Sequence, residues 1–77
     1  MDRRLTSTTF GLSGGPTTED QLRAVWLKVS RVPDIGAIAF EVRDEGTTMI
    51  LKHKESVVPD RVALRAAVRA AGPYDLV

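Results

Sequence analysis

The sequence predicts an α+β fold: two helices laid on one face of a four-stranded antiparallel sheet. Three observations carry it. Leu22, Val25, Val29 and Val32 recur at steps of three, four and three, the one-face spacing of a helix. Leu64, Ala67, Val68 and Ala71 repeat that kind of spacing further on. Around these stripes stand runs that alternate with period two, as half-buried strands do. The resulting order is β-α-β-β-α-β, a split βαβ or ferredoxin-like plan. Residues 1–4 read as an N-terminal tail and residues 5–77 as a single domain.

Each element has its own signal. Leu5 to Leu12 is rich in Thr, with Thr6, Thr8, Phe10 and Leu12 on one face of a strand. Gly11, Gly14, Gly15 and Pro16 then punctuate the chain. Thr18 followed by Gln21 fits a capping box, and Glu19 and Asp20 suit the positive end of a helix dipole. Trp26 flanks the apolar stripe and covers the core edge. Arg31 is expected in the last turn, and Pro33 ends the helix. Ile38, Phe40 and Val42 alternate with Ala39, Glu41 and Arg43. Asp44-Glu45-Gly46-Thr47 is a turn, and Thr48 to Lys54 completes a hairpin. Val58-Pro59-Asp60 opens the second helix, with Gly72 expected as its C′ residue. Tyr74 to Val77 makes a short last strand.

Composition narrows the function classes. The chain has 77 residues and a net charge of +1. That balance gives no electrostatic reason for a nucleic-acid partner. There is no cysteine, which excludes disulfides, thiolate metal sites, iron–sulfur clusters and a cysteine nucleophile. Without bridges in so small a domain, a cytoplasmic location is expected. The run from Ile35 to Phe40 is far short of the ~20 apolar residues that span a bilayer, so no membrane insertion is expected. Asn is absent and Arg outnumbers Lys eight to three, a balance typical of GC-rich bacterial genomes.

Several landmarks fall in a familiar order. Gly15-Pro16-Thr17-Thr18-Glu19-Asp20-Gln21 stands at the first loop, Val32-Pro33-Asp34-Ile35 before the second strand, and Ala70-Ala71-Gly72-Pro73-Tyr74 near the end. With Ile38, Phe40 and Val42, they make the chain resemble the heavy-metal-associated domain family of metallochaperones and transporter modules. That family reads G-M-T-C-x-x-C, L-P-G-V and A-x-G-Y at these places. The resemblance spans Leu5 to Val77. It implies the same sandwich, with the family's two metal thiolates falling on Thr18 and Gln21 and its methionine on Pro16. Neither thiol is present. The segment before the loop is longer by one residue than in the family, and the second helix starts earlier.

The expected function is therefore a non-enzymatic protein-interaction or accessory module with a degenerate metal site, no cofactor, and a protein partner or a second copy as its ligand. Metal handling through Glu19, Asp20, His53 or a partner's ligands is the alternative. Phosphate binding at the Gly15 loop is a third reading. Copper(I) prefers soft sulfur, and Met1 and Met49 hold the only sulfurs. No aromatic stands on the Gly46 to Leu51 strand for base stacking. Three surfaces are candidates for a partner, the first being the edge strands, which could pair into a homodimer by strand addition. Arg61, Arg65 and Arg69 form one ridge that is either a solvated face or a dock for an acidic protein. If Ile50 turns toward the helices, alternation puts Met49, Leu51 and His53 on the open sheet face, as a modest apolar patch or as scattered surface residues.

Overall fold

The computed structural model describes residues 4–77; residues 1–3 of the expected tail lie outside the described residues. The elements are β1 (Leu5–Ser13), α1 (Glu19–Val29), β2 (Ile38–Arg43), β3 (Gly46–Lys54), α2 (Arg61–Ala71) and β4 (Asp75–Leu76). They form one antiparallel sheet in the order β2-β3-β1-β4. This is the α+β, ferredoxin-like arrangement that the sequence predicts.

Register decides which side of each strand is buried. Phe10 stands opposite Met49, Leu12 opposite Thr47, and Ile38 opposite Leu51. Paired residues in an antiparallel ladder share a face. Phe10, Leu12, Met49 and Leu51 therefore form one apolar layer, and Val25 and Val29 of α1 with Leu64 and Val68 of α2 close over it. Met49, Leu51, Val25, Val29, Leu64 and Val68 have no exposed surface. Burying each such side chain stabilises the fold by roughly 1.5–3 kcal/mol.

Alternation then places His53, at 4% exposure, on the same inner face, and Ile50 on the open one. This corrects the expected patch: Met49, Leu51 and His53 are interior. Both Ile50 and its neighbours are apolar, so hydrophobicity alone leaves the choice of face open. The lysines at 52 and 54 share the parity of Ile50, and their need for water sets it.

The element ends shift as well. α1 stops at Val29, with Ser30 as its C-cap, so Arg31 lies beyond the helix and Lys28 is the basic residue of its last turn. Val32 is buried from the following turn. The β2–β3 hairpin closes on Asp44-Glu45 alone, because Arg43 pairs with Gly46 and Thr47 is already inside β3. Gly72 is the C-cap of α2 in an extended conformation rather than a left-handed C′ residue. A Cβ there would come within 2.7 Å of the Tyr74 ring, which explains the glycine. Trp26 is exposed on the flank of α1.

Candidate functional site

The loop between β1 and α1 is packed down and internally bonded. Thr18 caps α1: its Oγ1 accepts the Gln21 N–H at 3.2 Å. Gln21 Oε1 in turn accepts the N–H groups of Thr17 (3.0 Å) and Thr18 (3.1 Å). Two amides that an anion would use are thus already taken by a side-chain carbonyl. Pro16 is fully buried, and its carbonyl accepts the Thr47 hydroxyl at 2.8 Å. Gly14 sits at φ +91°, and a Cβ on it would come within 2.2 Å of the Pro73 carbonyl. Gly14, Pro16, Thr17 and Thr18 each have a packing or hydrogen-bonding partner, while Gly15, at φ +72°, has open space where a Cβ would stand. Among the described residues no group of three His, Cys, Asp or Glu side chains could hold a metal ion.

The arginine ridge turns toward β4. Arg65 bonds Asp75 with two prongs, 2.8 and 3.1 Å long, and Arg69 lies 3.9 Å from the same carboxylate. Arg61 donates to the Val77 carbonyl at 3.0 Å and stands 5.7 Å over the Phe10 ring. The Arg65 hydrogen bond holds the Asp75 carboxyl below its ordinary value, against an opposing effect of partial burial, and the Leu76 N–H adds to the lowering. The ridge stays exposed, but its guanidinium groups fasten the last strand to α2.

His53 ties two strands from the inside. Its Nδ1 bonds the Lys54 carbonyl at 2.9 Å, so Nδ1 carries a proton. Its Nε2 meets Thr8 Oγ1 at 2.7 Å and, in the neutral ring, accepts the hydroxyl proton. The pair has the reach of a nucleophile and a base. Thr8, however, does not line the nearby half-open recess of about 320 Å³ that Leu5, Ile35, Ala37, His53 and Val57 help to form. The bond is a tie between β1 and β3. No helix among the described residues is long and apolar enough to cross a membrane.

The sheet edges carry the unsatisfied chemistry. On β1 the Arg4 carbonyl takes the Glu55 N–H on the β3 side, and the Gly11 carbonyl takes the Val77 N–H on the β4 side. Backbone groups alternate sides along an antiparallel strand, so Leu5, Ser7 and Thr9 direct theirs toward the β4 position. β4 is two residues long against nine for β1, and pairs only with Leu12 and Ser13. Below Gly11 that position holds no strand among the described residues. On the far edge, the Ala37 carbonyl takes the Lys52 N–H, which leaves Ile38, Phe40 and Val42 to direct their backbone groups outward.

Sequence reasoning brought out the edges only in general terms and missed the half-empty position beside β1. Of the expected surfaces, the structure brings Arg61, Arg65 and Arg69 together on β4 and moves Met49, Leu51 and His53 inside. Compared with protein-family models, curated proteins and solved structures, the chain matches none.

Proposed function

We propose that the chain is a non-enzymatic protein-interaction module on the plan of the heavy-metal-associated domains, without their thiol site, and that it engages a partner by strand addition beside the lower half of β1. The observation that supports this reading is that Leu5, Ser7 and Thr9 direct their backbone groups toward a position that no strand of the described residues fills. Unpaired strand edges bind extended chains through backbone hydrogen bonds. The loop where the family has its metal site supports the reading from the other side, because Thr18 and Gln21 are spent on capping α1.

A titration with an uncharged, Thr/Val-alternating heptapeptide tests it. The amides of Leu5, Ser7 and Thr9 should shift and exchange more slowly with solvent. Ser7→Pro should abolish the effect at unchanged melting temperature, since the Ser7 N–H takes no part in the β1–β3 ladder and proline is tolerated at such an edge. Unchanged amides in the native protein would sink the reading. So would stoichiometric binding of Cu(I) or Zn(II) that is lost on changing Glu19, Asp20 or His53.

A further inference from the structure

The two-copy geometry of the open stretch of β1 singles out one partner. Residues Leu5 to Thr9 read Leu-Thr-Ser-Thr-Thr, with no charge, no proline and no glycine. Natural edge strands usually carry one of the devices that blunt them: a lysine, a proline, a bulge or a covering loop. β2 has two, since Gly36 and Ala37 together oppose Lys52 as a bulge, and Glu41 and Arg43 pair on its surface. Among the described residues, Leu5 to Thr9 of β1 carry none.

The stretch also complements itself. Laid antiparallel on a second copy about a twofold axis at Ser7, it puts Ser7 opposite Ser7, Leu5 opposite Thr9 and Thr6 opposite Thr8. The outward backbone groups of Leu5, Ser7 and Thr9 then meet those of Thr9, Ser7 and Leu5, giving about six N–H···O bonds. The side-chain pairs are small or β-branched, the kind that stabilises neighbouring strands. The strand of the second copy would run on the line of β4, whose register with β1 at Leu12 and Ser13 it continues.

The net charge of +1 sets little repulsion against the approach of two copies.

We infer that the chain forms a symmetric homodimer in which β1 pairs with β1 of a second copy around Ser7, joining two four-stranded sheets into one. This rests on the strand-addition reading and commits it to one partner. The chain has no cysteine, so a single introduced thiol reports the register. Ser7→Cys is close to isosteric and places two thiols in a directly opposed pair, within the Cα reach of a disulfide.

Under mild oxidation Ser7→Cys should form a covalent dimer at least tenfold faster than Thr48→Cys, which lies on the open face of β3. Sedimentation equilibrium on the cysteine-free chain should show a reversible dimer that Ser7→Pro weakens at least tenfold and Val42→Pro, on the β2 edge, leaves unchanged. A chain that stays monomeric across the concentration series, with no preference for cross-linking at position 7, overturns the homodimer. If the heptapeptide still protects Leu5, Ser7 and Thr9 in that case, strand addition stands and the partner is another protein. If those amides are unaffected too, both readings fall.

Discussion

β2 and the lower half of β1 both leave a row of peptide groups without a strand beside them, yet they are built very differently. β2 enters the sheet through a bulge, carries the Glu41–Arg43 pair, and runs straight into the acidic Asp44-Glu45 turn. Any strand approaching it meets a kink at one end and fixed charge at the other. β1 offers five uncharged residues in regular ladder geometry, beside a β4 that stops at Leu76. In an antiparallel sheet a guard costs little, since a charge on the solvent face fits either edge. Among the described residues one edge has guards and the lower half of the other has none, which is why the strand-addition proposal places the partner beside β1. The arginine ridge belongs to the same picture: it holds the short β4 in place and thereby fixes where the open stretch begins.

The largest effect on this contrast should come from Gly14→Ala. The residue takes a positive φ, and its Cβ would run into the Pro73 carbonyl just ahead of β4. Backbone strain and overpacking together should cost about 2–4 kcal/mol in urea unfolding. The β4 amides should lose protection before those of the β1–β3 ladder, which extends the open stretch upward. If all strands lose protection in step, β4 and the rest of the sheet form one unit and the contrast between covered and open halves of β1 is weaker than drawn. Thr18→Ala should be smaller and should leave both edges alone. Losing the cap costs about 1 kcal/mol of stability. The Ser7 and Phe40 amides should not respond. A change in peptide binding or self-association in this variant would show that the loop and the β1 edge act together.

Much of this was legible from residues alone, for identifiable reasons. Thr18, Gln21, Glu19 and Asp20 form a local pattern whose partners lie within one helical turn, so the capping box could be read directly and is present. The apolar stripe of α2 was equally local, and Leu64 and Val68 are buried as it required. The face of β3 was misread because it depends on pairing with Phe10 and Ile38, which are distant in sequence. His53 was read as a surface residue for the same reason, since its partner Thr8 is 45 positions away. The arginine row was seen, but not its target, because Asp75 reaches it only once β4 has folded back beside β1. The open half of β1 emerges from two strand lengths compared across the whole chain, and neither strand announces it alone.

The smallest expected effect bears on where that open half begins. The two-pronged bond from Arg65 lowers the Asp75 carboxyl from its usual 3.8. A group with a depressed folded value contributes stability that is present above its unfolded value and is lost as pH falls through the folded one. The clamp on β4 should therefore be intact at neutral pH and fade in acid, below about pH 4. The reporter is the Val77 N–H, which bonds the Gly11 carbonyl at 2.8 Å. Its protection factor, taken relative to that of Met49 in the β1–β3 ladder, should be level from neutral pH down to about pH 4 and fall below it. Asp75→Asn should flatten that dependence and start from the lower value. Added salt should act in the same direction at neutral pH, because Arg65 and Arg69 are exposed and their attraction to Asp75 is screened. If the ratio is flat with pH in the native chain, the arginine row is not what holds β4. The boundary between covered and open β1 would then be set by the Ser13–Asp75 and Leu12–Leu76 pairing alone.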